Sequence, residues 1–284
     1  MKSQTYILIA VVSIVSAQPL AMHAQGSLTP TSPPGATMLT LSQIEPRTPI
    51  SGAPISILTS GSYYLTTNLT VSSASAIVID ANNVTLDLNG FTISSPQNPP
   101  LGVAILLSPV TNITIVNGFI SGSVTNNGST YGGSGFGYGI YGSQSPANVR
   151  VSGVSVSGCE YYGIYLGVNN TMVESCTINT VGSYGIYAHS VTSSTALNCG
   201  GTAIDGDIVN NCQGSSSGNG YGIYATYVAT GCYGQSVTGT GIYAYNAAFC
   251  TAYRPSGTAI EANIANGCIA YSGTNIVTYK YNMP

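Results

Sequence analysis

Beyond residue 50 the apolar positions come in short alternating runs broken by Gly, Asn and Ser, as in NNVTLDLNGFTI (82–93), TNITIVNGFI (111–120) and ANVRVSGVSV (147–156). Alternation of this length marks a strand with one buried face, and Gly or Asn at each break supplies a corner. Further along, GYGIYGS, YYGIYLG, SYGIYAH, GTAIDGD, GYGIYAT, GTGIYAY and GTAIEAN align on an Ile at 140, 164, 186, 204, 223, 242 and 260. The spacings are 24, 22, 18, 19, 19 and 18 residues. A repeat of about 20 residues built from short strands predicts an all-β solenoid, because one such turn buries its apolar face only against its neighbours. The chain is long enough for about 9–11 turns, a rod roughly 45–55 Å long at the strand spacing.

Side chains alternate along a strand, so the columns can be assigned to faces. The Ile column points inward, with the small residues Ala188, Ala225, Ala244 and Ala262 two positions later. The position after each Ile points outward and reads Tyr141, Tyr165, Tyr187, Asp205, Tyr224, Tyr243 and Glu261. Two positions beyond it stand Ser143, Gly167, His189, Asp207, Thr226, Tyr245 and Asn263, also outward. Tyr138, Tyr162, Tyr184 and Tyr221, two residues before their Ile, add aromatic surface near one corner. Asn83, Asn112 and Asn148, each just before a strand, predict a structural turn ladder.

The opening units GSYYLTTNLTV and ANNVTLDLNGFTI, with LSQIEPRTPI before them, resemble a group of bacterial secreted proteins of the pectate-lyase-like superfamily. That resemblance implies a right-handed parallel β-helix with an N-terminal cap, and it implies little about activity, since fold does not set function. The catalytic patterns of the superfamily's lyases and hydrolases are not matched: there is no acidic triplet, paired basic motif or His-Gly signature, so no catalytic residue carries over.

Composition narrows the function classes. Of 284 residues only 13 are formally charged, 5 basic and 8 acidic, against 35 Gly and 21 Tyr. A net charge of −3 without a basic run offers no phosphate footprint, which excludes nucleic acid as a partner. The low charge suits a solenoid, in which stacking repeats each surface position and a charged column would repel itself. Lys2, the apolar run TYILIAVVSIVSA and the small residues after it read as a signal peptide over 1–24. A Pro-rich linker and cap with the apolar patch Met38, Leu39, Leu41 and Ile44 is expected over 25–50, then the β-helix over 51–284. The expected location is secreted, extracellular or at the cell surface, with no membrane span once the signal is removed.

Seven cysteines, Cys159, Cys176, Cys199, Cys212, Cys232, Cys250 and Cys268, read as a second column. In the last four turns each follows its Ile by eight or nine residues. Cross-turn bridging would need Cβ atoms closer than the strand spacing, so a buried ladder of free thiols is expected.

Two candidate sites follow. The Tyr ladder at Tyr141, Tyr165, Tyr187, Tyr224 and Tyr243 suits binding of extracellular polysaccharide or another surface protein, because Tyr combines contact area with a polar tip; ladder stacking could equally serve the solenoid alone. Asp205, Asp207 and His189 form the one acidic cluster beside a His. Two carboxylates about 7 Å apart suit a glycosidase acid and base, and His189 suits a general base; a solvated corner with a weak ion pair accounts for the same residues. Calcium on Asp205 and Asp207 would leave most of its six to eight oxygen positions unfilled, so no cofactor is expected. A non-catalytic binder is favoured over a polysaccharide lyase or glycosidase, with a purely structural, self-associating element as a third reading.

Overall fold

The computed structural model describes residues 45–128 and 130–283; the expected signal peptide and the apolar patch at 38–44 lie outside them. No helix occurs among the described residues. Twenty-two strands share one continuous ladder, and Thr125–Asn126 with Tyr131–Gly132 form a separate antiparallel hairpin. Every pairing in the ladder is parallel, which defines a parallel β-helix.

Each turn folds at two main bends, so the helix has three faces. Sheet A begins at Ile55–Ile57 and carries the Ile column in register through Ile77, Ile105, Ile140, Ile164, Ile186, Ile204, Ile223, Ile242 and Ile260. Sheet B begins at Thr48–Ile50, inside the segment expected as linker and cap, where Ile50 lies opposite Leu65. Its inward column passes from Leu86 through Ile115, Val151, Val173, Val191 and Val209 to Ala229, Ala247 and Ala265. Sheet C tapers further, from Ile93, Ile120, Val156 and Ile178 to Ala196, Gly214, Gly234 and Ala252. The three columns meet in one core, in which ten of the turns contribute an Ile from sheet A.

The corners are built from residues that tolerate left-handed backbone. Between sheets B and C, Asn117, Gly153, Ser175, Ser193, Asn211, Gly231, Phe249 and Gly267 all have φ between +49° and +63°. Between sheets A and B the expected Asn ladder is present and gains a fourth member. Asn112 Nδ2 donates to Asn83 Oδ1 at 2.7 Å, Asn148 to Asn112 at 3.1 Å and Asn170 to Asn148 at 2.7 Å. Each amide thus satisfies the next while its backbone makes the bend, the use that suits Asn at a turn.

All seven thiols are free and buried, as expected, but they form two columns rather than one. Cys176, Cys212, Cys232, Cys250 and Cys268 immediately precede sheet C, and Ser194 fills the same place in the turn between the first two. Cys159 and Cys199 sit at the other end of sheet C, both opposite Val181. In the short turns the position eight or nine residues after Ile is the one before sheet C, held by Ser194 in the turn of Ile186, whereas Cys199 stands five residues further along that same 18-residue turn. The Sγ atoms of Cys212, Cys232 and Cys250 lie 3.4–3.5 Å from the carbonyls of Val191, Val209 and Ala229 in the turn before. Burial pushes the Cys176 and Cys212 thiols up to about 11 and the Cys159 thiol up to about 12.

The last coil departs from the columns. Asn275 takes the Ile position opposite Ile260, and Lys280 stands in the aliphatic column opposite Ala265. An exposed Lys on an outer strand is a known guard against pairing by a further strand.

Candidate functional site

Sheet A presents the tyrosines. Tyr141, Tyr165, Tyr187, Tyr224 and Tyr243 are half-buried and stand in the outward register expected. Their neighbours two residues before each Ile join them. Tyr138, Tyr141, Tyr162, Tyr165, Tyr184 and Tyr187 form one run of ring contacts, with centroids 4.7–6.4 Å apart. Tyr221, Tyr224 and Tyr243 form a second run, in which Tyr224 and Tyr243 stack at 4.8 Å and 6°. Stacked pairs such as Tyr141–Tyr165 and Tyr224–Tyr243 cover part of one another's faces, so part of the surface a run offers is ring edges and hydroxyls.

The runs are separated by one turn. Residues 202–207 read TAIDGD, so Thr202 replaces the Tyr before the Ile and Asp205 the Tyr after it. Asp205 is in register between Tyr187 and Tyr224. Its carboxyl borders a hollow of about 310 Å³ walled by Tyr162, Tyr165, Tyr184 and Tyr187. Burial, and next the Asp207 charge, push the Asp205 carboxyl up to about 7. The same carboxylate acts back on its surroundings: after burial it is the leading charge that raises the phenols of Tyr184 and Tyr187.

Asp207 and His189 meet as the sequence predicts, with His189 Nδ1 2.9 Å from Asp207 Oδ2. The His189 backbone N–H donates to Thr171 Oγ1 at 2.9 Å, which fixes the strand carrying the ring. The cluster thus sets a carboxyl whose proton affinity burial raises beside a second carboxyl paired to His189. Two acids in different surroundings are what acid and base catalysis asks for. Among the described residues no group of three or more His, Cys, Asp or Glu could hold a metal ion. Asp205 and Asp207 alone do not meet the oxygen demand of calcium.

The Gly- and Ser-rich segment after residue 121 leaves this hollow open. Its hairpin reaches the far end of sheet C instead, where Asn126 Nδ2 donates to Asn198 Oδ1 at 2.9 Å and the Tyr131 hydroxyl to the Asn198 carbonyl at 2.9 Å. Glycines at 182, 200 and 218 make room there, since a Cβ on Gly200 would lie 2.9 Å from the Tyr131 ring. Five other charged residues pair within the scaffold. Arg47 pairs with Glu45 and Asp87 over the Tyr64 ring, and Arg150 pairs with Glu174 across one rung. Thr202 holds the position two before its Ile that Tyr184 and Tyr221 hold on either side, and Thr240 and Thr258 hold it in the later turns.

The geometry defines an all-β solenoid of the parallel β-helix class, with an aromatic face interrupted by one acidic residue, Asp205, and ended by another, Glu261. Among solved structures the chain is similar to the enzymatically active domain of tailspike protein 2 of bacteriophage CBA120, at TM-score 0.42 and 16% identity over 79% of this chain and 41% of that one. It is similar also to full-length tailspike protein 2 from Escherichia coli O157:H7 bacteriophage CAB120, at TM-score 0.41 and 14% identity over 79% of this chain and 37% of that one. The chain thus spans about two fifths of the length of these tailspikes. No family model matches the sequence, and no curated protein does.

Proposed function

We propose that this protein is a non-catalytic, exported β-helix that binds polysaccharide at the cell surface or in the extracellular matrix through the Tyr-lined face of sheet A. The observation that carries this reading is the pair of tyrosine runs on one sheet face, broken by an acidic hollow. Tyrosine edges give apolar contact to sugar C–H groups, and their hydroxyls give hydrogen bonds at low entropic cost. Export rests on the charged and apolar N-terminal segment. The test is a glycan array or polysaccharide pull-down with wild type and with a variant carrying Tyr187→Ala, Tyr224→Ala and Tyr243→Ala. Binding by wild type that is lost in the variant is expected; binding unchanged by the three substitutions sinks the reading.

A second reading is favoured by the raised carboxyl of Asp205 next to the His189–Asp207 pair. In it, Asp205 donates a proton to a glycosidic oxygen and Asp207, oriented by His189, is the carboxylate that acts on water. Release of reducing ends, abolished by Asp205→Asn, is its readout. Silence on a broad panel of neutral and uronate glycans removes it.

A further inference from the structure

The hollow beside Asp205 is lined by aromatic rings and a single carboxyl. Its walls are Tyr162, Tyr165, Tyr184 and Tyr187, all half-buried, and Asp205 is its one charged residue. No Lys, Arg, Asn, Gln, Ser or Thr takes part, so the polar side-chain groups around it are four phenols and one carboxyl. The rings do not share a plane. Tyr162 and Tyr165 stack at 21°, whereas Tyr184 stands at 72° to the first and 83° to the second. Tyr187 is tilted by 43° from Tyr165 and by 56° from Tyr184. The walls therefore bound the space from several directions, as a stack of parallel rings would not. Its volume of about 310 Å³ lies at the small end of ligand sites, which run from about 300 to 1,000 Å³.

Such a lining is electronegative. Ring faces carry the negative side of the aromatic quadrupole, phenol oxygens carry lone pairs, and Asp205 carries a full charge when ionised. The Asp205 carboxyl makes no hydrogen bond or ion pair among the described residues, and burial, then the Asp207 charge, raise its proton affinity. The titratable groups around it are Asp207 on its own strand, Tyr184, Tyr187 and His189 from the turn before, and Tyr224 from the turn after. Of these only His189 could bring positive charge, and it is engaged by Asp207. A quaternary ammonium answers each feature: its charge is spread over methyl groups, it packs on aromatic rings as an apolar body, and it supplies the missing positive charge without any N–H to satisfy. A primary ammonium is more strongly hydrated and brings three donors, for which one carboxyl is a poor exchange.

We infer that the hollow walled by Tyr162, Tyr165, Tyr184 and Tyr187, with Asp205 beside them, is a cation cage that binds a small quaternary ammonium compound of the choline type. The inference goes beyond the polysaccharide reading and does not rest on it: a chain that binds no glycan would still bind this cation.

The test is titration calorimetry of the purified protein with choline at pH 8, where Asp205 is mostly ionised. Two comparison ligands isolate the chemistry: 3,3-dimethylbutan-1-ol, the neutral carbon isostere of choline, and ethanolamine, its unmethylated counterpart. Wild type is expected to bind choline about tenfold more tightly than either. Asp205→Asn, which keeps the size of the side chain, should weaken choline about tenfold and leave the neutral isostere within about twofold. Tyr184→Leu removes a ring and should weaken choline about two- to fivefold, whereas Tyr184→Phe keeps the ring and should bind as wild type does. Lowering the pH from 8 to 5 should weaken choline binding to wild type, as Asp205 takes up its proton, and should leave Asp205→Asn unchanged. Wild type that takes up no choline at about 10 mM, or that binds the neutral isostere equally well, overturns the inference. So does choline affinity that Asp205→Asn leaves untouched, or a pH effect that persists in that variant. Thermal melting checks the fold of each variant; should Tyr184→Leu not fold, Asp205→Asn and the neutral isostere decide.

Discussion

The two halves of the solenoid solve the same packing problem with different volumes. From Ile55 to Ile140 successive Ile residues are 22, 28 and 35 residues apart, and the core is built of Leu65, Leu69, Leu86, Leu88, Ile93, Leu107, Ile113 and Ile115. From Ile186 to Ile260 the turns are 18 or 19 residues long, and Ala196, Ala225, Ala229, Ala247, Ala252, Cys212, Cys232 and Cys250 replace the large aliphatics. Length and volume are coupled: a shorter turn brings sheets A and C together, until a Cβ on Gly234 would lie 2.3 Å from Ile242 Cγ1 and 2.4 Å from the Gly241 carbonyl. The narrow half gains regularity in exchange. With few insertions, every outward position recurs one rung later, so a substituted turn such as 202–207 stands out as a break in the column.

If this contrast is right, the halves should fail in opposite ways. The largest loss is expected in the wide half, where Leu86→Ala leaves a cavity under a fully buried side chain and should cost about 2–5 kcal/mol by chemical denaturation. A cost below about 1 kcal/mol would mean that the wide half collapses around the hole.

Next comes a pH effect confined to the narrow half. The Asp205 carboxyl, held near 7, binds its proton more tightly folded than unfolded, so its contribution is fully favourable below about pH 4 and is lost as pH rises to about 7. A displacement of that size corresponds to at most about 4 kcal/mol. Hydrogen exchange at pH 4.5 and 7.5 should show the turns around Asp205 loosening while those around Leu86 do not, and Asp205→Asn should flatten the difference. Equal loosening of both halves would refute the assignment to Asp205.

Smaller in size, Gly234→Ala should cost about 1–3 kcal/mol by forcing sheets A and C apart, although the same change at an exposed strand position stabilises. The smallest effect belongs to the rung-spanning pair Arg150–Glu174, exposed on its Arg side, where Arg150→Ala should change stability by less than about 1 kcal/mol and more at low salt than high.

Much of this contrast was written in the residues. The Ile column from 140 to 260 and the outward Tyr column were legible because the short turns keep a constant spacing. The three earlier Ile positions, 55, 77 and 105, were not, since corner insertions stretch the period there; the short words ASAI (74–77) and GVAI (102–105) carried the only local trace. Two cysteine columns read as one because Cys159 and Cys199 stand at the far end of sheet C, 19 and 13 residues after their Ile, a difference of place along the turn that a column of one residue type does not register. Asp205, Asp207 and His189 came together as their register required. What could not be read was the hollow that Tyr162, Tyr165, Tyr184 and Tyr187 wall beside Asp205, since ring orientation depends on stacking between turns and not on any one segment.

The thiols in the column before sheet C turn the narrow half into its own recording instrument. Each is sealed among its neighbours, with Cys176 and Cys212 carrying almost no thiolate near neutral pH. An alkylating reagent can reach such a sulfur only while its coil is open, so the rate at which each of Cys176, Cys212, Cys232, Cys250 and Cys268 is labelled measures how often that coil opens. Five sulfurs along one line would then time whether the rod opens from an end, from the acidic turn, or everywhere at once.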